Sequence, residues 1–303
     1  MMKYIIAAVL FIGLVGLSGC LDLPIFSDKA PKEEAAFVGG TVGLQGTFLQ
    51  LPQRIFQNTE LNIILRVENK GEATVPQGAA QFTLNNAGAF QISQAIQTNV
   101  DGALERVKKF GASVQSSDPI DFNWTSPGPQ GLILTEEQAI PFSVDLCYPY
   151  STFAVAKGCA ARTNESGVCE PDAFKTVQNS GSPIQVTSLR NVAVPRADGT
   201  LELALIMEIE NRGNGDVFNT TTACSNLESG YLDKADVKAI SFGGRERPFT
   251  CTPSTSLSFI NDEAKTTCRI TVNAAADVED DLLIELAYYY RERVSSSISV
   301  IPL

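Results

Sequence analysis

The cysteines are the residues whose chemistry distinguishes this sequence most clearly. The chain has seven of them, and in an exported protein an odd cysteine needs its own explanation. The exception is Cys20, which stands at the edge of an apolar run over residues 4–17. The other six can pair completely, which predicts disulfide bonds formed in an oxidising compartment outside the cytosol. These six are Cys147, Cys159, Cys169, Cys224, Cys251 and Cys268.

The N-terminus has the pattern of an export signal. Residues 4–17 are too few to cross a hydrocarbon core, which takes about 20 apolar residues, so they are typical of a signal peptide. The sequence Leu17-Ser18-Gly19-Cys20 resembles the lipobox of prokaryotic lipoproteins, whose cysteine is acylated. This resemblance implies a signal peptide over residues 1–19 and a lipid anchor on Cys20. The alternative is an ordinary secretory signal or an uncleaved anchor in which Cys20 is incidental.

The sequence leaves the pairing of the six cysteines open, since they allow fifteen arrangements. Hairpin turns expected near residues 151–153 and 261–262 favour one set. That set is Cys147 with Cys159, Cys251 with Cys268, and Cys169 with Cys224. An alternative joins Cys159 to Cys169 across the loop between them.

Catalytic chemistry has little support. The chain contains no histidine, which removes Ser-His-Asp and Cys-His arrangements and most catalytic zinc sites. No Cys-x-x-Cys pair, phosphate-binding glycine loop or nucleophile elbow occurs either. We therefore predict a protein that is not an enzyme and has no catalytic residues, and a hidden carboxylate site is the least favoured class.

An acidic run offers the best place for a metal ion. It consists of Asp277, Glu279, Asp280 and Asp281. Calcium takes about six to eight oxygen ligands, but this spacing does not match an EF-hand, and an acidic run before a strand is more often a solvated loop. Calcium is thus a minor alternative to the absence of any cofactor. The formal net charge of −11 argues against nucleic acid and anionic lipid surfaces as partners.

Three Asn-x-Ser/Thr triplets are candidate glycosylation sites in an exported chain. They begin at Asn123, Asn164 and Asn219. Asn164 and Asn219 lie in loop-like contexts, whereas we expect Asn123, beside Trp124, to be buried. Their use would fit an archaeal or other glycosylating host.

A duplicated strand pattern organises the rest of the chain. Residues 61–71 can be laid on residues 203–213, 142 positions later, with apolar residues at every second position in both. Alternation of period two predicts a strand with one face on a core. Each copy ends in Asn-basic-Gly, where Asn and Gly would accept the positive φ of a tight turn.

A second match occurs at nearly the same spacing. Residues 142–150 correspond to residues 282–290, 140 positions later. Alternation would turn Tyr288 and Tyr290 toward the core and leave Tyr289 outside, so core packing is favoured over a carbohydrate-stacking role for this aromatic row. Two matches at almost equal spacing indicate two copies of one domain.

We therefore expect an all-β fold of two tandem immunoglobulin-like antiparallel β-sandwiches, because short strands and turn signals recur along both copies. A weak amphipathic helical pattern at residues 101–110 predicts a short helical connector on a sandwich edge, with a single helical turn or an irregular loop as the alternatives. The predicted segments are a signal peptide at 1–19, a lipidated flexible stalk at 20–36, the first sandwich at 37–160, a disulfide-containing connector at 161–182 and the second sandwich at 183–303.

The strand that ends in Val67-Glu68-Asn69-Lys70-Gly71, its second copy and the closing aromatic strand resemble immunoglobulin-like modules of prokaryotic adhesion and envelope proteins, such as the CARDB type. Residues 40–44 and 147–150 are similar to envelope proteins of archaea. The resemblance implies a lipoprotein, lipid-anchored to the outer side of the cell membrane, with a structural, adhesive or envelope-assembly role through a protein or glycan partner. The alternative is a module that binds a ligand or calcium and delivers it to a membrane partner.

Overall fold

The computed structural model describes residues 36–129, 134–163, 167–273 and 275–303. The predicted signal peptide, Cys20 and all of the stalk except its last residue lie outside the described residues. The span Ala35–Leu303 forms one compact unit, which contains both predicted sandwich segments. No helix within the described part of the chain is long and apolar enough to cross a bilayer.

The strands of the first half are short except for the last. They are β1 (Leu44–Leu49), β2 (Arg54–Phe56), β3 (Leu61–Asn69), β4 (Gln81–Asn85), β5 (Ile96–Thr98), β6 (Lys108–Phe110), β7 (Ser113–Gln115), β8 (Ile120–Ser126) and β9 (Gln138–Ala160). A short 3-10 helix, Ala87–Phe90, follows β4. Residues 101–107 form no helix, and Leu104 instead bridges to Val75, so the irregular alternative is the one that occurs.

The second half follows a comparable order. Its strands are β10 (Asp172–Phe174), β11 (Gln178–Asn179), β12 (Ile184–Pro195), β13 (Leu201–Asn211), β14 (Asp216–Phe218), β15 (Lys234–Phe242), β16 (Arg245–Glu246), β17 (Phe249–Thr252), β18 (Ser256–Ser258), β19 (Glu263–Val272) and β20 (Val278–Ile301). Two 3-10 helices, Cys224–Asn226 and Ser229–Tyr231, precede β15. The all-β prediction is confirmed.

The strands form one large and three smaller sheets. The large sheet has the order β16-β15-β20-β9-β4-β5, with β2, β11, β14 and β18 attached to it. Two smaller sheets have the orders β1-β3-β8 and β10-β12-β13-β19-β17, and among the described strands β6 pairs only with β7. Strand pairs are antiparallel apart from β2, which runs parallel to the end of β20.

The register between β9 and β20 relates the two halves by an internal two-fold arrangement. Pro149 pairs with Tyr289, while Tyr148 pairs with Tyr290 and Tyr150 with Tyr288. Pro149 and Tyr289 are also equivalent positions of the two matched segments, 140 residues apart. The two matched segments therefore pair with each other about this point. Flanking strands follow the same rule, because β4 lies beside β9 as β15 lies beside β20, and β1-β3-β8 recurs as β12-β13-β19. This is the pairing that a symmetric dimer would show if its two chains were joined.

The duplicated strands bury the faces that their sequence pattern predicts. Each of the eight apolar residues at alternate positions is at most 3% exposed. They are Leu61, Ile63, Leu65 and Val67 in β3 and Leu203, Leu205, Met207 and Ile209 in β13. Side chains of the smaller sheets meet those of the large sheet, as where the rings of Phe122 and Phe82 lie 4.1 Å apart. Each fully buried side chain of this size contributes about 1.5–3 kcal/mol.

The Asn-basic-Gly turns form, but not through the positive φ that we predicted. Neither Asn69 nor Gly71 has a positive φ. The Asn69 side chain instead holds the turn: its Nδ2 donates to the Ala73 carbonyl at 2.7 Å, and its Oδ1 accepts from the Gly71 amide and from the Tyr150 hydroxyl, each at 3.0 Å. Glycine is required because a Cβ at residue 71 would collide with the Tyr150 hydroxyl.

The second copy repeats this network. Asn211 Nδ2 donates to the Gly215 carbonyl at 2.9 Å, and its Oδ1 accepts from the Gly213 amide at 3.3 Å and the Tyr290 hydroxyl at 3.2 Å. A Cβ at residue 213 would meet the Tyr290 hydroxyl. In both halves this Asn–Tyr link therefore ties the smaller sheet to the large one.

The disulfides agree with part of the favoured set. Cys251 and Cys268 join β17 to β19 as predicted, with a Cα–Cα distance of 4.0 Å. Cys159 joins Cys169 with a Cα–Cα distance of 5.7 Å, which was the alternative pairing.

The remaining disulfide joins Cys147 to Cys224, with a Cα–Cα distance of 5.6 Å. The predicted pairs Cys147 with Cys159 and Cys169 with Cys224 are therefore wrong. The reason is that β9 runs unbroken through residues 151–153, so the expected turn does not exist and the first two cysteines lie far apart along one strand.

Replacing Asn69 by alanine should destabilise the protein more than the same change at Asn211. Asn69 is fully buried, so the groups that bond to its side chain cannot bond to water instead once that side chain is removed. Asn211 is half-buried, so water can replace part of its contacts. We expect losses of about 3 kcal/mol for N69A and about 1–2 kcal/mol for N211A, measured by urea unfolding, with exposed Asn123→Ala as a neutral control. Losses in both variants as small as in the control would contradict the Asn–Tyr link.

Candidate functional site

Four tyrosines pack together where the two halves join. Their ring centroids lie 5.5–6.4 Å apart around the cluster, and each ring is almost completely buried. Tyr148 accepts a hydrogen bond from the Leu44 amide at 3.1 Å, and the Tyr288 hydroxyl lies 3.0 Å from the Thr152 hydroxyl. Burial raises the pKa of Tyr148, Tyr150, Tyr288 and Tyr290 above that of an ordinary phenol. These rings are therefore neutral packing groups, as predicted for Tyr288 and Tyr290.

The two-fold pattern is broken next to this cluster. Thr152 and Glu292 are equivalent positions, 140 residues apart. The Thr152 hydroxyl donates to the Ile184 carbonyl at 2.7 Å. Glu292 instead lines a small cavity of about 60 Å³ together with Arg212 and Tyr290. Removal of its carboxylate from water raises the pKa of Glu292 to about 7, so this group titrates near neutral pH.

Glu292→Gln should raise the melting temperature at pH 8 and change it little at pH 4.5. Because the folded pKa of about 7 lies above the ordinary 4.5, the native state holds its proton more tightly, and stability falls as the pH rises between these values. Ionisation of Glu292 lowers the free energy of unfolding at pH 8 by at most about 3 kcal/mol. Water that still reaches its carboxylate makes this loss smaller.

The melting temperature is measured by differential scanning fluorimetry, with exposed Glu279→Gln as the matched control. A variant that is equally destabilised at both pH values would show that the Glu292 carboxylate makes a stabilising contact, contrary to this account.

An open groove of about 540 Å³ lies on the large sheet over the joint. Pro149 and Tyr289 form its floor, since they alternate with the buried tyrosines and face the other side of the sheet. One wall comes from Pro76 of the first half and the other from Asp236 and Lys238 of the second. A volume of this size is typical of ligand pockets, which span about 300–1,000 Å³. The groove exists only because the halves are joined.

The polar groups of this joint groove are held by hydrogen bonds to neighbouring residues. Asp236 accepts a hydrogen bond from the Thr220 amide at 2.9 Å. Lys238 donates to Glu285 at 2.9 Å, and Ser151 lies 3.5 Å from the same carboxylate. Each carboxylate keeps lone pairs for further donors. The groove thus combines an apolar floor with hydroxyl and carboxylate groups along its walls.

The candidate glycosylation residues differ from expectation. Asn123 is exposed, so the prediction that it is buried is wrong: alternation in β8 turns Trp124 inward and Asn123 outward. Asn219 is only 8% exposed, and its Oδ1 accepts from the Thr221 hydroxyl at 2.7 Å. Asn164 lies outside the described residues.

The structure does not gather the acidic run into one cluster. Asp277 accepts from the Arg162 amide at 2.9 Å, and Asp281 forms an ion pair with Lys157 at 2.7 Å. Because β20 begins at Val278, Glu279 and Asp281 point to one side of the strand and Asp280 to the other. Over residues 36–129, 134–163, 167–273 and 275–303, no three acidic, cysteine or histidine residues are placed to hold a metal ion.

Sequence reasoning missed the groove and Glu292 for different reasons. The groove walls come from residues more than 150 positions apart, which no local pattern connects. Glu292 does leave a signal, since a charged residue continues the inward-facing series of Tyr288 and Tyr290. Comparison with known proteins adds no family, because no family model and no curated protein matches this chain.

Proposed function

We propose that this chain is an extracytoplasmic lipoprotein with a structural, adhesive or envelope-assembly role, built from two immunoglobulin-like sandwiches of the CARDB type. Three disulfides support a location in an oxidising compartment. They leave Cys20 as the seventh cysteine, which supports its assignment to a lipid. Export and anchoring would place the compact unit at the cell surface, attached to the membrane through Cys20.

The observation that carries a binding role is the joint groove. Its floor offers the half-buried ring of Tyr289 beside Pro149, and rings of this kind provide a face on which a sugar ring can stack. Its lining includes Ser151 and Asp236, which can exchange hydrogen bonds with sugar hydroxyls. We therefore propose a glycan chain as the partner, bound without catalysis. A module that delivers a bound ligand to a membrane partner would use the same groove.

Metabolic labelling with a lipid precursor tests the anchor. We expect the wild-type protein to incorporate label and Cys20→Ser to lose it, because the other cysteines are engaged in disulfides. Cys251→Ser is the control and should keep its label. Equal labelling of wild type and Cys20→Ser would remove the lipid anchor from this proposal.

Binding to an array of envelope polysaccharides tests the groove. The protein from residue 36 onward serves for this, since it contains the whole compact core. Tyr289→Ala should weaken binding at least about tenfold, in line with the loss of one aromatic contact. Phe174→Ala is the matched control because it removes a 75% exposed ring outside the groove. Absence of glycan binding, or an equal loss in both variants, would contradict the proposal.

A further inference from the structure

The last residue of the predicted stalk and the residues just after it are fixed to the compact unit at a defined place. The Ala36 amide donates to Gln178 Oε1 at 2.6 Å. The amides of Val38 and Gly39 donate to the two carboxylate oxygens of Glu72, at 2.9 and 3.0 Å. Glu72 is itself buried. A tether that begins at Cys20 would therefore pull on the body at residues 36–39.

The β6–β7 hairpin stands beside this attachment point. It pairs with no other described strand, and it begins where the Val107 amide donates to the Gly71 carbonyl at 2.8 Å. Ala36 and Phe37 line a cavity of about 240 Å³ together with residues 106–110. The hairpin and the tether consequently leave the same region of the body.

The surface of the hairpin differs from that of the chain as a whole. Arg106 and Lys108 are exposed and Lys109 is half-buried, although the chain carries a net charge of −11. Phe110 and Val114 are 60% and 53% exposed, so the hairpin presents two large apolar side chains next to these cations. Lys108 and Phe110 lie on one face of the hairpin, and Lys109 and Val114 lie on the other. The two faces meet at the tip, at residues 111–112, and we call Arg106, Lys108, Lys109, Phe110 and Val114 together the basic hairpin surface. Lys108 also lies 3.9 Å from Glu105, which offsets part of the positive charge.

We propose that the basic hairpin surface docks onto anionic lipid headgroups of the membrane that holds Cys20, with Phe110 and Val114 entering the interfacial layer. Lys and Arg near an anionic leaflet are attracted to it, and exposed apolar side chains add burial at the headgroup boundary. The net negative charge of the chain predicts that it avoids such lipids. The basic hairpin surface is a local exception to that prediction. Docking would set the orientation of the joint groove relative to the membrane.

The tether makes this weak contact effective. The fifteen residues between Cys20 and Ala36 can extend at most about 50 Å, so the hairpin stays close to the bilayer at high effective concentration. The inference therefore rests on the proposed lipid anchor. In free solution the acidic remainder of the body would oppose binding.

A tryptophan reporter tests the docking. Trp124 is the single tryptophan and is buried, so Phe110→Trp adds a second emission that lipid can reach. The protein from Cys20 onward is coupled through this thiol to a maleimide phospholipid, which makes the test independent of lipidation in cells. The vesicles contain equal parts of phosphatidylcholine and phosphatidylglycerol, with bromine on the acyl chains.

We expect a blue shift and quenching of the Phe110→Trp emission in these vesicles, and their loss at high salt or when Arg106 and Lys108 are both changed to glutamine. Ile260→Trp is the matched control. Ile260 is 74% exposed and lies just before β19 in the second half, whereas the hairpin lies just before the equivalent strand, β8, in the first half. Ile260 lies outside the basic hairpin surface and outside the cavity that Ala36 and Phe37 line, so its emission should stay unquenched. Unquenched Phe110→Trp emission in the coupled protein, or equal quenching of Ile260→Trp, would overturn the docking and leave the anchor to the labelling experiment.

Discussion

The backbone ladder between β9 and β20 holds the two halves of the chain together, and the other sheets are arranged about it. The ladder runs from the pair of Val278 with Ala160 to the pair of Val300 with Gln138, and its centre lies between Pro149 and Tyr289. On one face of the large sheet at this centre, four tyrosines pack in the core. On the opposite face lies the joint groove. A separation of the halves would therefore expose the tyrosines and abolish the groove.

Local sequence patterns were sufficient for the strands but not for their partners. The alternation in residues 61–67 and 203–209 identified both buried faces, and the same rule placed Tyr289 outside. It could not reveal that the two matched segments pair with each other, because a strand pattern records burial and not the neighbouring strand. The unbroken course of β9 through residues 151–153 is hidden by the polar pair Ser151 and Thr152, although Thr152 is buried. The pairing of Cys147 with Cys224 depends on that course.

The Asn-x-Gly motif shows a second limit of sequence reasoning. The motif predicts a turn, and a turn forms, but its Asn and Gly do not adopt the positive φ that the motif also predicts. The actual reasons are a side-chain hydrogen-bond network and the close approach of a tyrosine hydroxyl, and that tyrosine lies about 80 residues away in each half. A contact at such a separation leaves no local trace.

The two halves share a strand order but differ in added strands and in the chemistry of one pair of equivalent positions. The hairpin of β6 and β7 interrupts the first half before β8, whereas the second half adds β10 and β17 to the edges of its smaller sheet. At one pair of equivalent positions, Thr152 has a hydroxyl that donates a hydrogen bond, whereas Glu292 has a carboxyl group with a pKa raised to about 7. The two halves thus share a common arrangement of core strands, and each half has features that the other lacks.

Scanning calorimetry of residues 36–303 tests the central claim most directly, because two halves that share one sheet must unfold together. The account predicts a single transition whose calorimetric and van't Hoff enthalpies have a ratio of about one. Two resolved transitions, or a ratio of about two, would show that the halves unfold independently and would contradict it.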